Sequence, residues 1–448
     1  MSINVRISKG KNISIEGSAQ KIFKEISSDL YALKPIDFHL LIPKLSVKIG
    51  DKILAGDPLV YDKDNDSIKY CSPVSGVIKE IQRGAKRKLL QIIVKSDKKI
   101  KFKKFNVSNH QKMDSENIKK LMMESGLWPL IKKRPFSIVA DPNEIPKSIF
   151  ISCFDSSPLA PDYNFILSEQ KDLFQAGLDI VNKLTDGILH LNVDGARNDN
   201  DFFEQFSGCQ VNKFFGPHPS GNVGVQIHHI DPINKGDVVW TLSPQSVISI
   251  GRFFSKGIFD MSKIIALTGS EIKDRKYFKI IQGLNISSMV KNNLKKGEKR
   301  YISGSILSGR KIEKDGFVGF YDDQITVIPE GNYYQFFGWA LPGFHKYSFS
   351  RLFFSWLNEK KEYVLDSNMN GEERAFVVSG QYEDLFPMDI YPVHLIKAIM
   401  AEDIELMEKL GIYEVDPEDF ALCEFACTSK IPVQDIVRNG LDLIKKEC

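Results

Sequence analysis

The sequence predicts a multidomain chain of the α/β class, and three observations carry that prediction. Short apolar runs broken by Gly-Asp and Ser-Pro turns crowd residues 45–94. Apolar runs closed by Asp alternate with helical periodicity between residues 136 and 194, and two helical stretches end the chain. With 448 residues there is room for about three domains of roughly 150 residues each, every one able to bury a core. Lys and Arg number 60 against 57 Asp and Glu, a formal charge of +3, with 26% charged and 42% hydrophobic residues. That balance excludes a disordered tail and carries no electrostatic footprint for nucleic acid. The six cysteines (Cys71, Cys153, Cys209, Cys423, Cys427 and Cys448) are too scattered for a disulfide framework, and the N-terminus has no apolar run of signal-peptide length, so a reducing cytoplasm is the expected compartment. No stretch approaches the roughly 18 apolar residues that span a bilayer; the nearest, Val238 to Gly251, holds three Ser, a Thr, a Gln and a Pro. Membrane contact is expected to be peripheral.

Residues 1–103 read as an N-terminal arm and an all-β module. Val47-x-x-Gly50-Asp51-x-Ile53 and Gly56-Asp57-x-Leu59 place turn residues at a fixed offset before each apolar run, and Ser72-Pro73-x-Ser75-Gly76-x-Ile78 repeats the device. This spacing resembles the barrel-sandwich hybrid of biotinyl and lipoyl domains. In carrier members of that fold a lysine at a hairpin tip is modified; the tip here, Asp62-Lys63-Asp64, reads instead as a solvated turn. Residues 104–258 form an α/β unit. A helix over Asn117 to Gly126 precedes the runs PFSIVAD, SIFISCFD and GILHLNVD, with helical periodicity at Phe174, Leu178, Val181 and Leu184 between the last two, which predicts a parallel sheet. The unit closes in a loop-dense stretch around a short strand that holds His228 and His229. Residues 259–331 give mixed strands at KIIALTGS, YISGSIL, GFVGF and ITVIP around one helix at Ile286 to Leu294, a small β-grasp pattern. Residues 332–448 divide into an aromatic segment and a helical domain, with helices at Leu395 to Leu410 and Pro432 to Lys446 separated by the Asp416-Pro417 break.

The constellations favour no metal centre and no glycine-loop nucleotide site. Adjacent His228 and His229 in a strand would point to opposite faces, and no Gly-x-Gly-x-x-Gly or Walker loop follows any predicted strand. Cys423 and Cys427 share a helical face without a third ligand nearby, so they read as small buried residues. From Gly331 to Leu357, eleven of 27 residues are Phe, Trp or Tyr, interleaved with Lys346 and Arg351. Gly338, Pro342 and Gly343 argue against regular buried structure there, so the segment reads as a surface that meets a partner or membrane headgroups.

Several phrases in one order then converge on a family. Ile7-Ser8-Lys9-Gly10 with Ile15-Glu16-Gly17, the Leu33-Lys34-Pro35 step, SVKIGDKILAGDPLVYDK, CSPVSGVIKEIQRGAKRKLL, HPSGNVGVQIHHID and GWALPGFHKYS together resemble the A-subunit family of sodium-translocating NADH:quinone oxidoreductases, over essentially the whole chain. That family is similar in architecture to the C subunit of the Rnf complex and to the flavin subunit of complex I. The resemblance implies a Rossmann-like second domain whose flavin loop is replaced by Glu124-Ser125-Gly126-Leu127-Trp128-Pro129, where bulky Leu127 and Trp128 block the backbone approach a flavin needs. It also implies a C-terminal domain derived from a ferredoxin-like cluster domain. The cysteine positions of one motif are taken by Phe376, Ser379, Tyr382 and Phe386; the second retains Cys423 and Cys427 but has Pro417 and Phe420 at its first two places.

The expectations that follow are a peripheral subunit on the cytoplasmic face of a bacterial inner membrane, within a six-subunit complex. This chain is expected to hold no cofactor, with FMN, riboflavin, FAD and Fe-S clusters in partner subunits. The complex is a translocase that couples NADH-driven reduction of ubiquinone to sodium export, and the isolated chain is expected to be inactive. A quinone slot requires aromatic faces and hydrogen-bond donors; the altered loop offers Trp128 and Phe136 as faces and Arg134, or Lys133, as donor. The competing readings are an assembly subunit with no quinone contact and a stand-alone flavin NADH dehydrogenase, the latter disfavoured by the substituted loop and cysteines.

Overall fold

Turn chemistry folds the β-module where the sequence places it. In the computed structural model, which describes residues 2–108, 110–358 and 361–447, Asp51 accepts a hydrogen bond from the Lys48 amide at 2.7 Å and Asp57 one from the Leu54 amide at 2.8 Å. Gly50 and Gly56, each preceding its Asp, take φ of +93° and +96°, values that favour glycine. The four strands Leu30–Leu33, Leu89–Ser96, Gly76–Arg83 and Lys52–Ile53 form one sheet, and Pro43–Leu45, Pro58–Asp62 and Lys69–Cys71 a second. Both sheets feed one core that includes Leu59, Val60, Ile78 and Ile92. Lys63 is exposed at a turn.

The second unit is a seven-stranded sheet in the order Asn4–Arg6, Gln210–Phe215, Ile188–Asp194, Ser148–Ser152, Val239–Leu242, Lys132–Arg134, Ile138–Val139. The first five run parallel and the last two form an antiparallel edge. Alternation along the strands assigns the two faces. Ile149 and Ile151 join the core shared with the β-module and the helices Lys171–Val181 and Pro244–Lys256, while Phe150 joins the core of the C-terminal domain. Those two helices cross at glycines: a Cβ at Gly251 would stand 1.9 Å from the Leu173 carbonyl oxygen, and one at Gly177 2.1 Å from that of Val247.

The third unit is a six-stranded mixed sheet, Arg310–Ile312, Lys299–Ser303, Gln324–Pro329, Ser262–Thr268, Lys276–Ile281, Gln20–Glu25. The C-terminal helices Pro392–Met400, Ile404–Lys409, Ala421–Ala426 and Val433–Glu447 pack around a second large core, which also takes in Phe150 and Phe214.

Several expectations need correction. The N-terminal arm does not stay with the β-module: residues 4–6 pair parallel to Gln210–Phe215 and residues 20–25 parallel to Lys276–Ile281. Sheet edges expose unpaired backbone groups, and the arm satisfies two of them. The stretch around His228 and His229 is a helix, Val223–Ile230, not a strand. The helix expected at Ile286 to Leu294 shrinks to Ser287–Val290, and GFVGF forms only the bridge between Phe317 and Asn285. At Phe376, Tyr382, Phe386 and Phe420, four of the positions that the resemblance aligns with cluster cysteines, the packing is aromatic. Phe386 lies 4.6 Å from Phe420 and Phe376 5.5 Å from Tyr382 between ring centroids, in the core that also buries Cys423 and Cys427.

Candidate functional site

The sheet edge Lys132–Arg134 and Ile138–Val139 is a hairpin whose end meets the C-terminal domain. Its turn passes through Phe136 and Ser137 at φ of +85° and +50°, a left-handed conformation that L residues rarely adopt and that a tertiary contact helps to hold. Arg438, on the last helix, supplies that contact by donating to the Phe136 carbonyl at 2.7 Å. At the base of the hairpin, the Trp128 indole N–H donates to the Ala140 carbonyl at 2.7 Å. Trp128 is fully buried and stands edge-on to Trp240, 5.4 Å between centroids at 89°.

Arg134 is 3% exposed and faces three carboxylates. Its Nη2 donates to Glu418 Oε1 at 2.9 Å and lies 3.8 Å from Asp416 Oδ2, and its Nη1 lies 3.6 Å from Asp419 Oδ2 without a hydrogen bond. Arg438 reaches Asp416 at 3.0 Å. The acids are delivered by a short turn, Pro417–Phe420, in which the Asp416 amide donates to the Asp419 carboxylate at 3.0 Å. The helix Val223–Ile230 closes the far side through Gly224, where a Cβ would stand 2.3 Å from Asp419 Oδ2. Asn222 donates to the Glu418 carbonyl at 3.1 Å.

Burial and like charge divide the three acids. Burial raises Asp419, Arg134 pulls it down, and Glu418 and Asp416 push it back up, to about 7. Glu418 is also raised by burial although its side chain is 40% exposed at the rim. Asp416 ends below the usual carboxylate range: burial raises it, but Arg134 and Arg438 outweigh burial. Burial works against the Arg134 charge, yet the surrounding carboxylates hold its pKa above the ordinary value. Beside them, burial lowers Lys132, whose Nζ sits 3.8 Å from the centre of the Tyr321 ring. The result is a cationic anchor with one carboxyl able to hold a proton near neutral pH and a second reaching solvent.

Of the residues named from sequence, Arg134 and Phe136 come together at the hairpin end, with Lys445 Nζ 5.5 Å from the half-buried Phe136 ring. Trp128 packs instead into the core shared with the β-module, so it braces the hairpin rather than offering an open face. Lys133 is occupied by Glu144 at 2.6 Å. Sequence reasoning missed Asp416, Glu418, Asp419, Arg438 and Lys132; three acids in four residues was the available signal, read only as a chain break. His228 has a structural role. Its Nε2 accepts from the Asp389 amide at 2.9 Å, so the Nδ1 proton is left to bond Glu414 at 2.6 Å. Among the described residues no group of three His, Cys, Asp or Glu is placed to hold a metal, and no described helix is long and apolar enough to cross a membrane.

Three family models match in order: the NqrA N-terminal barrel-sandwich hybrid domain over residues 5–97, the NqrA second alpha/beta domain over 113–259, and the NQRA C-terminal domain over 264–314. The chain is 35% identical over 447 residues to the A subunit of the Na(+)-translocating NADH-quinone reductase of Pasteurella multocida (strain Pm70), covering 99% of this chain and 100% of that one. The chain belongs to this A-subunit family, NqrA. Other members are 36% identical, in Haemophilus influenzae (strain PittEE), and 33% identical, in Pseudomonas aeruginosa (strain UCBPP-PA14), each again over 99% of this chain and 100% of the relative. Among solved structures, an NAD+-reducing [NiFe]-hydrogenase in the air-oxidized state is 12% identical over 42% of this chain and 41% of that chain, with a TM-score of 0.32, too low to carry an argument. Within the NqrA family, the β-module of this chain is the barrel-sandwich hybrid and its seven-stranded unit the second α/β domain.

Proposed function

We propose that this chain is a peripheral subunit of a sodium-pumping NADH:quinone reductase, on the cytoplasmic face of the membrane, and that it contributes to quinone binding through the hairpin that ends at Phe136. The observation that carries the first part is the end-to-end match, at 33–36% identity, to proteins named as the A subunit of that reductase. The partners are the other subunits of the complex, and the flavins and clusters reside there. In this reading the seven-stranded unit is Rossmann-like with its flavin position filled by Leu127 and Trp128, and the six-stranded unit is a β-grasp derivative.

For the quinone, Phe136 supplies a ring face, Arg134 gathers the acids beside it, and Trp128 holds the base of the hairpin from the core side. Quinone reduction to quinol takes up two protons with two electrons. The electrons come from partner subunits, while Asp419 and the rim carboxyl of Glu418 offer protonatable groups close to the hairpin. The competing reading, an assembly subunit that never touches quinone, is favoured by the burial of Trp128 and by the hydrogen bond that already ties Arg134 Nη2 to Glu418. Equilibrium dialysis of the purified chain against a short-tailed soluble quinone decides between them. Saturable one-to-one binding supports a quinone contact; absence of binding supports the assembly role.

A further inference from the structure

Residues 331–357 carry eleven aromatic residues, Lys346 and Arg351, and no Asp or Glu. The structure splits these rings into two sets. Tyr347 and Phe349 turn inward and pack on Phe425 of the C-terminal core, at 5.9 and 5.7 Å between centroids. Tyr363, just beyond, stacks edge-on to Tyr347 and donates its amide to the Ser14 carbonyl. The second set faces solvent: Tyr334, Phe336 and Trp339 are 104%, 87% and 72% exposed, and Phe344, Phe354 and Trp356 are also exposed. Exposed rings in one short segment form an apolar patch of the kind that marks a contact surface.

We propose that this segment binds the headgroup layer of an anionic lipid bilayer. Two observations select that occupant. First, the stretch from Gln335 to Leu357 has two cations and no acid, and the acids that bond the segment, Glu298 at Asn332 and Asp366 at Tyr333, sit at its beginning, so the charge beside the rings from Phe336 to Trp356 complements an anionic surface. Second, the cations lie beside the rings, with Lys346 Nζ 5.2 Å from the Phe353 ring and the Arg351 guanidinium 5.5 Å from Trp356, which places charge and aromatic surface together as the headgroup layer requires. The inward set fixes the segment to the fold, so insertion of the outward rings leaves the C-terminal core intact. The proposal does not depend on a quinone contact.

The four tryptophans make the test specific, because Trp128 and Trp240 are fully buried and only Trp339 and Trp356 can meet lipid. The full-length chain is mixed with vesicles rich in phosphatidylglycerol or made of neutral phosphatidylcholine, with brominated acyl chains in a parallel set. Binding to the phosphatidylglycerol vesicles with quenching of tryptophan fluorescence by the brominated lipid is the expected result. Lys346→Glu with Arg351→Glu should weaken that binding by roughly tenfold or more, and Phe336→Ala with Trp339→Ala should weaken binding to the same degree and remove most of the quenching. Unquenched fluorescence in the unmodified chain overturns the proposal, as does equal binding to neutral vesicles. Protection of the segment only when other subunits of the complex are present also overturns it, in favour of a protein partner.

Discussion

Arg134 on the edge hairpin and Glu418 in the C-terminal turn form a 2.9 Å ion pair across 284 residues of sequence. Asp416 and Asp419 crowd the same guanidinium, so one buried side chain of the α/β sheet faces three carboxylates of the helical domain. Removing it leaves three carboxylates around a buried gap. Arg134→Ala should therefore destabilise the chain by about 3–5 kcal/mol, the range for breaking a buried ion pair from one side. Urea unfolding of the two proteins at one pH checks this, and Arg134→Lys should recover only part of the loss because the fork is gone.

Asp419 makes stability depend on pH. Its folded pKa, about 7, lies above the ordinary carboxylate value, so between about pH 4 and 7 the folded state holds a proton that the unfolded chain has released. Stability from this group is fully present below the unfolded value and is lost as pH rises towards 7. Asp419→Asn removes that slope. The stability of the variant relative to the unmodified chain should rise between pH 5 and 7.5; an unchanged difference would show that Asp419 titrates normally.

Gly224 sits where the Val223–Ile230 helix begins against Asp419. A methyl group at that position would stand 2.3 Å from a carboxylate oxygen that is itself held by the Asp416 amide. Gly224→Ala should cost about 1–3 kcal/mol by overpacking, measured by thermal or urea unfolding, although alanine is the better helix former.

The proposed quinone contact assigns bracing to Trp128 and binding to Phe136. Trp128 is sealed in the core and Phe136 is half-buried at the domain junction. Trp128→Phe should lower stability through the lost indole bond to Ala140, an effect of about 1 kcal/mol or more, with little change in soluble-quinone affinity. Phe136→Ala should weaken quinone binding by about 0.5–1.5 kcal/mol, the scale of one aromatic pair. Lys63→Ala, on the exposed turn of the β-module, should change neither.

What the sequence determined by itself is local. The Gly-Asp turns of the β-module appear where the spacing predicts them, and the helix expected over Asn117 to Gly126 forms at Ser115–Ser125, two residues earlier and ending on Gly126 as a left-handed cap, because a turn or a helix is settled by residues within a few positions of one another. The apolar runs at Ser148–Ser152 and Ile188–Asp194 likewise mark sheet strands. The Val223–Ile230 segment misled because its apolar residues at 223, 225 and 227 fit a two-residue period as well as a helix does. Only the tertiary structure decided where the N-terminal arm pairs, that Trp128 and Phe136 fall in different cores, and that Asp416, Glu418 and Asp419 converge on Arg134. Those outcomes depend on which distant surfaces meet when whole domains dock, and on the low dielectric that their contact creates, neither of which any short window of residues contains.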